Sequence, residues 1–321
     1  MQTTWYLALI PGLPLLGALT VAFFRNRWSK ARLALTASIA VGASFVATVA
    51  ALLALSRLPA DSYRALVQPL WQWAVTGSQS IGVGLLADSL SVWFALVVTG
   101  VGLMIHIYSA AYMEEDRSFG RYFAALNYFI FAMSLLVLSD SFLGMLVGWA
   151  NVGLASYLLI GFWHEKPEPQ AAANKAFIMN VGGEVGLILG CALIFTTFGS
   201  FRFHDVFPQV AQASPAVLNA IALFLLVGAA AKSAQLPLHT WLPDAMQGPT
   251  PVSALIHAAT MVTAGVYLVA RAFPIYEAST VGMSAVALVG GASALYGAVV
   301  AIGQTDIKRV LAFSTMSQVG Y

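Results

Sequence analysis

Apolar residues run along this chain in stretches of about twenty, broken by short clusters of charged residues, Pro and Gly, and a stretch of that length crosses a hydrocarbon core of ~30 Å as a helix. The runs predict spans at 5–24, 33–55, 85–113, 122–138, 142–163 and 171–198. Further spans fall at 217–234, continuing to about 246, at 252–273 and at 281–303, with a last one starting near Lys308. The expected fold class is an all-α polytopic membrane protein with about ten transmembrane helices. A membrane β-barrel would show segments of ~10 residues alternating apolar and polar, and that period is absent. The first run has no basic segment before it and no A-x-A cleavage site after it, so it reads as a retained span rather than a secretory signal.

Composition agrees. Of 321 residues, 60% are hydrophobic and 9% charged, against roughly 25% charged in soluble domains. The single cysteine, Cys191, lies in an apolar run and reads as packing. Basic residues in short loops are retained on the cytoplasmic side. With the N-terminus outside, the inner loops hold Arg25, Arg27, Lys30, Arg32, Arg117, Arg121, Lys166, Lys175, Lys308 and Arg309, and the outer ones Arg57, Arg64, Arg202 and Arg271. Ten against four predicts an N-out protein of the bacterial inner (plasma) membrane. The remaining basic residue, Lys232, sits inside a span. About a dozen residues follow Lys308, roughly half of a crossing, so the sequence is expected to be cut short within its last span.

An ionisable side chain at bilayer depth costs at least ~2.5 kcal/mol, so each one calls for a bundle interior or a wet cavity. Lys232, in LVGAAAKSAQLP, is flanked by small residues that let helices approach closely, and it reads as a relay residue; the bland alternative is a lysine snorkelling to an interface. Pro237, Pro243, Pro249 and Pro251 follow, and proline removes a backbone bond and clashes with the preceding turn. A helix break near Lys232–Pro237 is expected, of the kind that lines ion sites in carriers, with a plain re-entrant or surface loop as the alternative. His257, in VSALIHAATMVTAGVY, is expected on an unbroken apolar helix sharing a face with Thr260 and Thr263, suited either to proton relay or to packing. Glu184, among glycines in NVGGEVGLIL, is the natural counter-charge to Lys232, as a proton partner or as a structural ion pair. Asp88 is placed to cap the third long helix. His106 could face lipid headgroups or the bundle, and Asp140 falls in a short outer turn. No nucleotide-binding motif, cysteine cluster or haem-type histidine pair is present, so no cofactor, metal or nucleic acid is expected, and no redox chemistry in the chain itself.

The stretch GAAAKSAQLPLHTWLPDAMQGPTPVSALIHAATMVTAGVYLV (228–269) closely resembles the antiporter-like large membrane subunits of respiratory complex I, the L type in particular. DSLSVWFALVVTGVGLMIHIYS, SYLLIGFW, KAF and TDIKRVLAFSTMSQVGY extend the resemblance over nearly the whole chain. The large subunit of Mrp-type sodium/proton antiporters shares the core motif. The resemblance implies two inverted five-helix repeats after a few N-terminal helices, each repeat with a broken helix and a lysine at mid-membrane. This chain would hold the N-terminal helices (1–113), the first repeat (114–273) and the start of the second (274–321), the first half of a two-repeat fold. It also implies that Lys232 is the central proton-carrying lysine, that Pro237 marks the break, that His257 belongs to the relay and that Glu184 fills the acidic position.

Two positions depart from the family pattern. G-W-E is usual where this chain reads Gly148-Trp149-Ala150, and N-R-x-G-[DE] where it reads Asn180-Val181-Gly182-Gly183-Glu184. Losing one acid and one base together leaves no uncompensated charge, whereas losing one member of a buried pair costs about 3–5 kcal/mol. The fold is expected to survive; for function two outcomes stay open, that Glu184 substitutes for the missing acid or that pumping is impaired.

The function expected is that of a proton-translocating membrane-arm subunit of NADH:quinone oxidoreductase, an enzyme subunit whose quinone is bound by other subunits and whose partners are the other membrane-arm subunits and the lipid bilayer. A Mrp-type cation/proton antiporter subunit is the alternative within transport. A non-pumping structural or vestigial subunit, or a gene fragment, is the alternative outside it.

Overall fold

Where water is absent, a chain hides its peptide groups by bonding them within one segment, and the apolar runs close into helices in the computed structural model, which describes residues 2–59, 64–76 and 79–321. Helices α1 (Leu9–Phe24) and α2 (Lys30–Ser56) are followed by a small sheet and then by α3 (Ser89–Tyr112), α4 (Phe119–Leu138), α5 (Phe142–Ile160) and α6 (Pro167–Phe198). After the four-residue α7 (Phe203–Val206) come α8 (Pro215–Lys232), α9 (Trp241–Asp244), α10 (Thr250–Ala254), α11 (Thr263–Arg271), α12 (Phe273–Glu277), α13 (Thr280–Ile302) and α14 (Ile307–Gly320). Among the described residues seven helices are long and apolar enough to cross a bilayer: α2 to α6, α8 and α13. The expected count of about ten therefore holds only approximately, because α1, α14 and the interrupted α10–α11 region are shorter.

The chain divides into two compact units, Met1–Ala155 and Ser156–Tyr321. In the first, α1 packs on α2 and α4, and α3 on α2 and α4. The sheet pairs β1 (Gln2–Thr3) in parallel with β2 (Ala65–Thr76), which forms an antiparallel hairpin with β3 (Gln79–Asp88). That hairpin corrects the predicted span 85–113. Residues 85–88 are the end of β3, and the helix begins only at Ser89. Leu85, Leu86 and Ala87 are buried in either state, and a short apolar run does not tell strand from helix. Asp88 closes the strand and opens α3 with a capping box: its carboxylate accepts from the Ser91 backbone N–H at 2.9 Å, and its own N–H donates to the Ser91 hydroxyl.

His106 faces the bundle. Its Nδ1 bonds the Gly102 carbonyl at 2.7 Å, and the Asn127 amide lies 3.1 Å from its Nε2. One turn along the same α3–α4 seam, Ser109 and Tyr122 bond at 2.9 Å.

In the second unit, Pro167 opens α6 and Gly199, with φ 70°, ends it. Ser214 and Pro215 open α8 in the same way. The two helices pack along their length through Gly183, Gly186 and Gly190. A Cβ at Gly183 would collide with that of Ala231, and one at Gly186 would stand 2.9 Å from that of Val227. Close approach in lipid is made by such small residues, since there is no hydrophobic effect to drive helices together. Gly182, one residue away, has open space around it.

This difference gives a paired expectation. Gly183→Ala overpacks the seam and destabilises the protein by about 1–3 kcal/mol, seen as a lower midpoint in detergent thermal unfolding. Gly182→Ala on the same helix leaves that midpoint unchanged or slightly raised.

Candidate functional site

Lys232 is the last residue of α8 and is fully buried. What stops the helix there is the backbone of Ala234, which adopts a left-handed conformation (φ 51°). The Gln235 N–H reaches back to the Ala230 carbonyl at 2.8 Å, and the Ala234 N–H to that of Ala231 at 3.3 Å. These are the two bonds of a Schellman stop, made here without the usual glycine, at a cost of order 1–3 kcal/mol for the left-handed residue. Pro237 lies beyond the stop, in the segment that separates α8 from α9. The predicted continuation of the span to about 246 is replaced by that segment and a short helix.

Side chains take up what the stop leaves over. The Trp241 indole donates to the Ala231 carbonyl at 2.9 Å, and the Leu236 N–H donates to the Ser293 hydroxyl of α13 at 2.9 Å. The Ser233 hydroxyl donates to the Val262 carbonyl at 2.7 Å. Gln235 donates to the Ser233 carbonyl at 3.0 Å. Trp241 and Ser233 are functional-site residues that the sequence reading passed over. The available signal was a tryptophan inside a proline-rich apolar segment, where a buried indole N–H must find an acceptor.

Glu184 comes into play through the glycine seam. Because Gly183 stands against Ala231, the next residue on each helix is Glu184 on α6 and Lys232 on α8, and the carboxylate and ammonium act on each other's charge. Glu184 is half-buried.

His257 is placed differently from expectation. The helix predicted to run unbroken over 252–273 is interrupted: α10 ends at Ala254, a π-helical turn spans Leu255–Ala259, and α11 begins at Thr263. The Thr260 hydroxyl bonds the Leu255 carbonyl at 2.7 Å and the Thr263 hydroxyl bonds that of Thr260 at 2.8 Å, so the threonines take backbone acceptors instead of sharing a face with the histidine. His257 sits in the π turn with both ring nitrogens buried and without a hydrogen-bond partner among the described residues. The Ser233–Val262 bond ties this second interruption to the first.

Ala150 is on an exposed face of α5, and Val181 on an exposed face of α6 with Ile178, Val185 and Ile188. Among the described residues no group of three His, Cys, Asp or Glu is placed to hold a metal ion.

Residues 139–321, more than half of the chain and the part that holds both interruptions, match the model of the NADH:quinone oxidoreductase/Mrp antiporter transmembrane family. The chain belongs to that family. Residues 73–123 also match the model for the N-terminus of chain 5 of NADH-ubiquinone oxidoreductase (complex I). This family member is 49% identical over 319 residues to NADH-quinone oxidoreductase subunit L of Mycobacterium tuberculosis, covering 99% of this chain and 50% of that protein. To subunit L of Escherichia coli K12 it is 46% identical over 319 residues, covering 98% of this chain and 51% of the other. It thus spans about half the length of the curated relatives it matches. Among solved structures, the Mrp complex from Dietzia sp. DQ12-45-1b superposes with a TM-score of 0.82 at 29% identity, covering 97% of this chain and 33% of that one.

The indole bond of Trp241 carries a test. Trp241→Phe keeps the ring buried but withdraws the donor from the Ala231 carbonyl, for an expected loss of about 1–3 kcal/mol in denaturant or thermal unfolding. Trp73→Phe, at an exposed hairpin position, is the matched control and leaves stability within about 0.5 kcal/mol.

Proposed function

We propose that this protein is a proton-translocating membrane-arm subunit of NADH:quinone oxidoreductase, with Lys232, Glu184 and His257 as its relay. The observation that carries the reading is a fully buried lysine at the end of a broken apolar helix, beside a carboxylate brought close by a glycine seam. A buried ammonium is tolerated when it is charge-balanced or can give up its proton. Moving the proton between Lys232 and Glu184 neutralises both groups at once, so this one transfer leaves no lone charge in lipid; passing the proton on leaves the pair one charge short until a second proton arrives. His257, buried with free ring nitrogens, is the next group able to accept and donate one. Its separation onto a second interrupted helix makes the path stepwise, with the Ser233–Val262 bond joining the two steps.

The identity of 46–49% to subunit L supports complex I over a Mrp-type antiporter; the likeness to the Mrp complex supports the latter as a second reading. In the complex I reading the partners are the other membrane-arm subunits and the lipid bilayer, with the quinone bound by other subunits and redox energy supplied by them. The protein is placed in the bacterial plasma membrane with its N-terminus outside, supported by the ten-to-four distribution of basic residues. Ala150 and Val181 favour a non-pumping copy only if the charges usual at those positions are indispensable.

The test is NADH-driven proton pumping in membrane vesicles carrying the full-length gene product. The unmodified protein pumps, Lys232→Ala brings its contribution to background, and Glu184→Gln lowers it at least tenfold, about 1.4 kcal/mol. Pumping that appears only after Ala150→Glu and Val181→Arg together would show a defective or structural copy. Sodium-driven exchange without NADH would favour the antiporter reading.

A further inference from the structure

Lys175, near the start of α6, and Asp244, the last residue of α9, form an ion pair at 2.6 Å. It belongs to neither the proposed relay nor the helix stop, yet it closes a loop through both. Lys175 shares α6 with Glu184, nine residues further on and ~13.5 Å along the axis. Asp244 shares α9 with Trp241, whose indole holds the carbonyl of Ala231, the residue before Lys232. The Thr240 hydroxyl lies 3.4 Å from the Met179 sulfur, a further contact between the same two segments. Two independent ties therefore join α6 to the end of α8: the glycine seam from Gly183 to Ala231, and a strap that runs from Lys175 through Asp244, α9 and Trp241 to the same residue.

The two ties differ in kind. The glycine seam is close-packed and made of groups with no charge to exchange. The Lys175 and Asp244 side chains are 42% and 36% exposed, so each can trade its partner for water without the desolvation penalty that makes a buried pair permanent. The strap has one releasable joint, at its exposed end.

We propose that Lys175 and Asp244 are positioning residues forming a latch: paired, they hold α9 and the last turn of α8 so that Lys232 faces Glu184, and parted, they let that turn move. The proposal rests on the relay reading for its functional consequence, while the latch itself is a property of the strap.

Two measurements separate these layers, on the full-length protein in its native assembly. Variants are Lys175→Gln, Asp244→Asn, and the reversed pair Lys175→Asp with Asp244→Lys. Amide hydrogen exchange over 229–247 reads the latch whether or not protons are pumped. Each single variant is expected to exchange about fivefold faster there, with the reversed pair returning to the unmodified rate. Protons pumped per NADH oxidised read the consequence, and the singles fall about fivefold while the reversed pair recovers. Unchanged exchange in the singles, or a reversed pair that exchanges like them or does not assemble, overturns the latch. Exchange that follows the pattern while pumping is indifferent to both the latch and Lys232→Ala leaves the latch standing and removes the relay reading instead.

Discussion

A helix that ends inside a bilayer leaves carbonyls and N–H groups with no water to bond, and each such group left unmet costs several kcal/mol. Much of the structure around Lys232 follows from this constraint. The left-handed Ala234 turns the chain so that two N–H groups fold back on the helix end, the Trp241 indole adds a second donor to Ala231, and Ser293 receives the Leu236 N–H from another helix. These bonds come from three different elements, so the break forms only once α8, α9 and α13 are assembled. The break is therefore a tertiary feature, and a lysine next to it sits where the backbone is already polar and the surroundings already fixed.

That placement suits a charge. The glycine seam has a double effect: it removes the volume that would hold α6 and α8 apart, and by fixing their register it sets Glu184 beside Lys232. Bulkier residues at 183, 186 and 190 would widen the gap, and in a low-dielectric interior the attraction between two charges falls directly with their separation. Packing geometry and charge balance are set by the same three glycines, which makes α6 the frame on which the proposed relay is mounted.

The sequence showed the spans because twenty apolar residues admit few other readings, and it showed Lys232 and Glu184 because charge in such runs stands out. Other features depended on information that is not local. The break near Lys232–Pro237 was legible from the prolines, but the left-handed turn at Ala234 that closes the helix end was not, because alanine carries no hint of such a conformation. The interruption at His257 had no proline or glycine within it; threonine hydroxyls bonded to carbonyls five and three residues back accompany it. The end of β3 was hidden because Leu85–Ala87 are apolar and only Asp88 and Ser89 separate them from the apolar run of α3. The side that His106 faces was undecidable until the α3–α4 register set Asn127 against it.

The two departures from the family pattern take on a definite meaning in this setting. Val181 lies in an exposed apolar stripe of α6 with Ile178, Val185 and Ile188, where a lone arginine in contact with lipid would cost at least ~2.5 kcal/mol. Ala150 is likewise on an exposed face. A charge at such a position would be stable only if something outside the chain answered it. If protons move through this protein, the charge of Lys232 is balanced from within its own unit, by Glu184, and its timing is set by whatever moves the end of α8.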